Sequence, residues 1–509
     1  MKNKHNLLRT ILLIVVAFSL WLSCIEPATT QITILHTNDM HGAFVPSKAT
    51  WIKENPKPLI GGFLALAHYL REARSQTSNT LLLDAGDLMT GNEICNIEHK
   101  GAKGGALIDM MNLMGYEGMT IGNHEFDISQ ANVVKLIEIS EFPIYSANLY
   151  REDGQLFATA AYHIYNKHGL RIGVIGIITE SLYGVLHHDK RRGLVVKSNA
   201  ETIEKIVDEI DSGTDLIVVL SHCGAEADSV LAENLDRRVD VIVGGHSHTR
   251  IYQPRKVNHI LIAQAGDKCR YLGELDLTVV ADTVQEFSGN LIPLWVKDIT
   301  KDSVIEKKVN HFQKLIDEKY GKVIGHSKTD LNSSRHAEST IGNFVADCVR
   351  EYAGTDFAGI NSGSIRKSLP AGEIKMIDIR EVLPLGNKIC TFKVSGEQLL
   401  KFMHHNAKAS ALREHGIIQV SGLTIHWKKL PDGTIRIAKA LVNGQPVDPQ
   451  KIYTGATDDF VLFANSQQYL GIDPTEKQDR GILVANVVMD IIERKGEISS
   501  KIEGRLREE

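Results

Sequence analysis

The stretch Thr120–Asp127, TIGNHEFD, breaks a short apolar run at a glycine and then sets three chemically versatile side chains within five positions: Asn123, His124 and Asp127. Asn123 offers an amide oxygen to a hard cation. His124 can hold a proton or position an anion, and an acid three residues on can fix its tautomer. A lone Gly-Asn is more often just a turn. The weight of the stretch comes from its repetition elsewhere in the chain.

Four other β-rich runs end in the same way. Ile32–Leu35 leads into His36, Thr37, Asn38, Asp39, Met40 and His41, and Leu81–Leu83 leads into Asp84, Ala85, Gly86 and Asp87. Leu216–Leu220 leads into Ser221 and His222, and Val239–Val243 into Gly244, Gly245, His246, Ser247 and His248. Amphipathic segments lie between them. In Gly62–Arg74 the apolar residues Phe63, Leu66, Ala67 and Leu70 recur at helical spacing. Strands alternating with helices across glycine-rich turns predict an α/β layer structure, in which ligands gather beyond the carboxyl ends of the strands.

Asp39 and His41, two apart on a segment expected to be extended, would converge with Met40 turned away. Asp87 follows a glycine, so its carboxylate could reach two ions. His222, His246, His248 and Asn123 complete a mixed nitrogen and oxygen set, suited to two divalent ions such as Zn, Mn or Fe and unlike a calcium or thiolate site. Shared around Asp87, the set gives each ion about four protein ligands and leaves room for a water, an arrangement that stabilises both attacking and leaving oxygens in phosphoryl transfer. His36, His68, His99, His163 and His168 fall outside this pattern and read as ordinary structural residues.

In this order, DxH, GD, GNHE, H and GHSH resemble the calcineurin-like metallophosphoesterases. The wider set, from ILHTNDMHG and LLLDAGD through GNHEFD to VLSHCG and GGHSH, resembles the 5'-nucleotidase and UDP-sugar hydrolase family over nearly the whole chain. The resemblance implies an N-terminal four-layer α/β/β/α sandwich over residues 24–300, a linker helix over 301–322, and a smaller α/β substrate-binding domain over 323–509. It also implies Asp39, His41, Asp87 and His248 on one metal, with Asp87, Asn123, His222 and His246 on the other. His124 and Asp127 match the catalytic pair, His124 stabilising the phosphoryl oxygens in the transition state. His248 stands where many members carry Gln.

Helical periodicity over Ile305, Val309, Phe312, Ile316 and Tyr320 marks the linker, by itself a surface helix. Beyond it, Asn361-Ser362-Gly363-Ser364-Ile365-Arg366 resembles the family's NGGGIR segment, and Arg335 precedes a matching Glu338 and Gly342-Asn343. The resemblance makes Arg335 and Arg366 phosphate ligands, a role suited to a guanidinium fork, and puts Asn361, Gly363 and Asn387 at the substrate. It then lapses. Leu385 and Leu462 stand where the family stacks a base between two phenylalanines, with Phe460 and Phe463 beside the second. Ser466-Gln467-Gln468-Tyr469-Leu470 replaces a segment whose acid contacts ribose. Losing such rings removes about 1–3 kcal/mol per base.

Length bounds the rest. At 509 residues, 43% apolar and 23% charged, the chain is a globular protein too long for one ordinary core, so two domains are expected. A formal charge of −5 gives no sign of a nucleic-acid polymer as partner. Lys2, Lys4 and Arg9 precede an apolar run, Ile11–Leu22, that is short of the roughly 20 residues of a membrane span. With Ser23-Cys24 after it, the start resembles a bacterial lipoprotein signal peptide over 1–23, although Trp21 sits where Leu is usual. Export follows, with Cys24 lipidated and the protein held at the cell envelope, in the periplasm or on the outer membrane. Ordinary cleavage to a soluble secreted protein is the plainer reading. The other five cysteines lack CxxC spacing and read as small buried hydrophobes. No feature of the sequence sets an oligomeric state.

The expected function is an exported dimetal phosphoester hydrolase that releases phosphate from nucleoside monophosphates. The altered base pocket motivates a second reading: the same chemistry on 2',3'-cyclic nucleotides, nucleotide sugars or non-nucleotide phosphomonoesters. A third, a non-catalytic binding protein, is disfavoured because every metal-ligand position is filled.

Overall fold

The computed structural model describes residues 29–509 apart from 188, 236, 414 and 415, so the expected signal peptide over 1–23 and the expected lipidation site Cys24 lie outside the described residues. Two six-stranded mixed sheets form the N-terminal half. One runs Thr283–Pro293, Tyr271–Val280, Thr29–Thr37, Thr80–Asp84, Gly118–Thr120 and Ile144–Tyr145. The other runs Tyr162–Lys167, Leu170–Ile178, Leu216–His222, Val241–Gly244, Ile260–Ala263 and Arg255–Val257. The central strands of both are parallel; the first sheet is antiparallel only on the side of Tyr271–Val280 and Thr283–Pro293, the second at both edges.

Alternation along the strands builds the layers. Ile32, Ile34, Leu81 and Leu83 meet Ile172, Val174, Leu216, Val218, Leu220, Val241 and Val243 between the sheets. Their neighbours Leu35 and Leu82 point outward to the helices Phe63–Gln76, Gly105–Met114 and Gln130–Ile139. On the far side Ile175, Ile177, Ile217 and Val219 pack on Asn199–Ile210 and Ala225–Asn234. The result is helix, sheet, sheet, helix. Glycines allow close approach within the stack: a Cβ on Gly176 would stand 2.3 Å from that of Tyr145.

The helix Ser303–Tyr320 starts at Asp302, whose carboxylate accepts from the Val304 and Ile305 amides. It is less a surface helix than its charge suggests. Ile305, Val309, Phe312, Ile316 and Tyr320 are all buried in the outer helical layer of the N-terminal half. After it, a five-stranded sheet (Ile418–Ser421, Phe357–Asn361, Ile452–Asp458, Lys388–Ser395, Thr475–Leu483) forms the heart of a smaller α/β unit. Thr340–Ala353 and Val484–Lys495 pack in one of its apolar clusters and Gly396–Leu412 in the other. Among the described residues no helix is long and apolar enough to cross a membrane. The five described cysteines are free and buried.

Strand register brings the chemistry to one edge. Thr37 pairs with Asp84, Asp84 with Met119, Ile178 with His222 and Ser221 with Gly244. The carboxyl ends of the parallel strands are therefore level, and the segments after them meet.

Candidate metal centre and substrate cleft

Two ligand clusters form where those segments meet. Asp39, His41 and His248 make one, Asp87, His222 and His246 the other, and within each the donor atoms lie within 4.8 Å of one another. Asn123 Oδ1 joins the second at 2.8 Å from His246 Nδ1. All seven residues expected to hold metal are thus gathered at one place.

The local backbone is not the extended segment expected for Asp39–His41. Asp39 and His41 have φ of 48° and 49°, and Asp87, His246 and His248 are also left-handed at 59°, 74° and 56°. The pair converges by a turn, held where the Asp39 amide donates to the Gly86 carbonyl at 2.8 Å and the His41 amide to the Asp87 carbonyl at 3.0 Å. Glycine opposite makes room. A Cβ on Gly122 would stand 2.3 Å from Asp87 Oδ1, and one on Gly245 would stand 2.9 Å from His222 Nδ1.

The donors fit cations. His41 Nδ1 lies 3.0 Å from the Met89 carbonyl, which can only accept, so Nε2 carries the lone pair; it faces His248 Nε2 at 3.0 Å. His222 Nδ1 is likewise committed to the Ala85 carbonyl at 2.6 Å, and its buried Nε2 has no aligned hydrogen bond although Asp87 Oδ2 is 3.1 Å away. Lone pairs aimed at lone pairs, as between His41 and His248, are repulsive unless a positive charge lies between them. Burial lowers His41 well below the usual imidazole range, His246 to about 3 and His248 to about 4, so these rings are neutral donors. His222 is the exception. Burial opposes its charge, but the Asp87 and Asp39 carboxylates raise it to about 10, and the field that draws a proton there would draw a metal ion.

Beside the clusters, His124 Nδ1 is 2.7 Å from Asp127 Oδ2, which also accepts from Thr90 Oγ1 at 2.5 Å. Burial works against charge on His124, and the Asp127 and Asp87 carboxylates overcome it, raising its pKa. Glu125, within the quoted stretch but given no role from sequence, is the clamp beneath. Its buried carboxylate accepts from the amides of Asp87 (3.0 Å), Gly122 (2.6 Å) and Met89 (3.1 Å), tying the second ligand loop to the third.

A cleft of about 640 Å³ opens over this floor, and its walls include Arg335, Asn361, Gly363, Arg366 and Asn387. All five expected substrate residues therefore face the metal-type clusters. Among the described residues neither guanidinium has a hydrogen-bond acceptor or a paired carboxylate. Asn361 Oδ1 caps the Gly363 amide at 3.0 Å, and Asn387 Nδ2 donates to Ser364 Oγ at 3.2 Å.

The aromatic wall is not where the sequence pattern pointed. Leu462 is buried in the domain core, and Gln468 is exposed away from the cleft. A π-helical turn, Phe460–Ala464, rotates Phe460 onto the wall instead, where it meets Tyr469 at 5.9 Å between ring centroids. Leu385 does line the cleft. The sequence signal for Tyr469 was its ring type at the end of the altered segment. For His187, which reaches the same cleft and lies 3.2 Å from Asp459 across the domain boundary, there was none.

Comparison with known proteins agrees with this architecture. The calcineurin-like phosphoesterase family model matches residues 32–250, and the model for the 5'-nucleotidase C-terminal domain matches residues 323–470. The chain is 28% identical to a 5'-nucleotidase of Vibrio cholerae, over 74% of its own length and 75% of that protein. To a 5'-nucleotidase of Diplobatis ommata it is also 28% identical, over 94% and 89%. A solved structure, a 5'-nucleotidase precursor from Thermus thermophilus, is similar with a TM-score of 0.84 at 26% identity, covering 94% of this chain and 99% of that one.

Proposed function

Because this chain belongs to the 5'-nucleotidase family, metal-dependent phosphoesterases in which a calcineurin-like domain precedes a 5'-nucleotidase C-terminal domain, we propose that it is an exported enzyme releasing phosphate from nucleoside 5'-monophosphates. Asp39, His41, Asp87 and His248 are assigned to one divalent cation, and Asp87, Asn123, His222 and His246 to a second, each Zn, Mn or similar. Such ions supply Lewis acidity toward the phosphoryl oxygens and the attacking water. Arg335 and Arg366 receive the phosphate as paired donors. His124, kept protonated by Asp127, offsets charge that develops on the phosphoryl oxygens. Asn361, Gly363 and Asn387 shape the cleft around the leaving alcohol, with Phe460 and Tyr469 against its ring. Residues 24–300 carry the metals, 301–322 the connection and 323–509 the substrate walls. A lipidated Cys24 would tether the enzyme to a membrane of the cell envelope.

The observation that carries this reading is the convergence of both ligand clusters, the His124–Asp127 pair and two unpaired guanidinium groups on one cleft. The test is phosphate release with Mn or Zn, and again after EDTA, from AMP, UMP, 2',3'-cyclic AMP, UDP-glucose, a sugar phosphate and an aryl phosphate. A nucleoside monophosphate leads the panel, and chelation abolishes its hydrolysis. No release from any compound would sink the reading. Leu385 on the ring wall favours one alternative, the same chemistry on another phosphoester, which chelator-sensitive activity on the sugar or aryl phosphate alone would establish.

A further inference from the structure

Behind the wall that carries Phe460 lies a buried acid, Asp458. It ends the strand Ile452–Asp458, opposite Ile389, and none of its surface reaches solvent. Its Oδ1 accepts from the Val461 amide at 2.8 Å and so pins the start of the turn Phe460–Ala464. Its Oδ2 has no hydrogen-bond partner among the described residues, and no cation pairs with the group. A buried acceptor left in that way is unfavourable unless a donor can turn toward it. The donors that face it belong to the cleft: the side-chain amide of Asn387 and the backbone amide of Asn361. Asn387 Nδ2 carries two hydrogens. One goes to Ser364 Oγ at 3.2 Å, which leaves the other for Asp458. That arrangement turns Asn387 Oδ1 toward the cleft the residue lines, where among the described residues nothing donates to it.

We propose that Asp458 is a positioning residue for substrate: its carboxylate holds the Asn387 NH2 group inward, so that Asn387 Oδ1 accepts a hydrogen bond from a hydroxyl of the leaving alcohol. The inference rests on the phosphoesterase reading above and fixes the orientation of one of its substrate contacts. Protonation reverses the arrangement. The carboxyl O–H then donates to Asn387 Oδ1, the amide turns over, and Nδ2 faces the cleft. Burial raises the pKa of Asp458 to about 7, opposed by the Val461, Asn387 and Asn361 donors and aided by neighbouring Asp459, which carries the His187 contact. The other titratable groups that face it are Tyr469 and, from the strand Lys388–Ser395, Cys390; burial raises both, so neither is charged near neutral pH. The reversal therefore belongs to Asp458 and falls near neutrality.

Asp458→Asn imitates the protonated form, because its single oxygen goes to the Val461 amide and its NH2 group meets Asn387. The ratio of its KM for UMP to that of the wild type cancels titration of the phosphate and of every group the two proteins share. That ratio is about fivefold at about pH 8, the loss of one hydrogen bond, and near one at about pH 6, while kcat agrees to within about twofold. A purely structural role would give a ratio that does not move with pH. Asn387→Ala removes the same acceptor and leaves Asp458 in place; its ratio falls likewise between the two pH values and serves if the first variant folds poorly. A constant ratio in Asp458→Asn overturns the assignment, and where that variant does not fold, a constant ratio in Asn387→Ala does so. If the wild type releases phosphate from no nucleotide, the phosphoesterase reading fails by itself. Calorimetry with uridine, which has the hydroxyls and no phosphate, then decides the assignment. Binding about fivefold tighter at the higher pH in the wild type, and indifferent to pH in Asp458→Asn, supports it; equal wild-type affinity at both pH values, or no binding, refutes it.

Discussion

Five of the seven ligand-type residues have φ between 48° and 74°, where a side chain costs about 1–2 kcal/mol relative to the right-handed region. Aspartate and histidine tolerate that region better than most residues, and the loops that hold them are zipped together by backbone hydrogen bonds and the Glu125 carboxylate. What these bonds do not relieve is the repulsion among buried carboxylates and inward-facing imidazole lone pairs. Cations should therefore stabilise the fold itself. At a hundred times its dissociation constant one bound ion contributes about 2.7 kcal/mol, so chelation is expected to lower Tm by about 5–10 °C, with recovery on adding Mn or Zn. Scanning calorimetry before and after EDTA checks this, and a Tm indifferent to chelator would contradict it. His124 belongs to neither cluster. His124→Ala should accordingly cut kcat by about 10²–10³ while elemental analysis finds the metal content of the wild type. A matching loss of metal would make it a ligand rather than a transition-state donor.

At the scale of single elements, what was legible in the sequence followed period and order. The strand ends at Thr37, Asp84, Thr120, His222 and Gly244 could be read because apolar runs stop abruptly there, and a level sheet edge makes such stops coincide in space. The helix Ser303–Tyr320 could be read from its spacing, though not its depth of burial, which depends on the neighbouring helices Phe63–Gln76 and Gly105–Met114. Side-chain direction within irregular turns could not be read. Asp39 and His41 converge through left-handed turns, a conformation no spacing rule reports. The turn Phe460–Ala464 is π-helical and carries Phe460 onto the cleft while Leu462 is buried, so the family resemblance, which puts Leu462 at the second ring position, misses the ring that stands there. The consequence is testable. Phe460→Ala and Tyr469→Ala should each raise KM for UMP by about tenfold, the worth of a stacked ring, and leave kcat within about twofold. Leu462→Ala should instead lower stability by about 2–5 kcal/mol as a core truncation, with no such change in KM. Urea denaturation and steady-state kinetics on the three variants separate the two effects, and a KM response confined to Leu462 would restore the sequence-based placement.

At the scale of the whole molecule the cleft exists because two units face each other, and polar contacts across the boundary set how they face. Buried Glu93 accepts from Arg380 at 2.7 Å, and Asn92 donates to Glu381 at 2.9 Å, on one side of the cleft. On another, His187 of the N-terminal half lies between Asp459 of the C-terminal half and its own neighbour Asp189, with Lys190 beside them. The Asp459 carboxylate, aided by Asp189 and opposed by partial burial, raises the His187 pKa to about 9. The unfolded or separated state has the ordinary value near 6.5. A pKa raised by the native contact means that the contact's contribution is complete below about pH 6.5 and lost as pH climbs through about 9. Because a third of the His187 side chain is exposed at 33%, screening keeps that contribution small, so the informative quantity is its pH dependence. The Tm of the wild type should exceed that of His187→Gln at pH 6, and the gap should shrink from about pH 6.5 upward and close above about pH 9. Small-angle scattering over the same range should show the wild type opening toward the dimensions of the variant. A gap that stays constant across those pH values would mean that His187 is neutral in the native protein and that the Glu93–Arg380 side alone holds the two units in register.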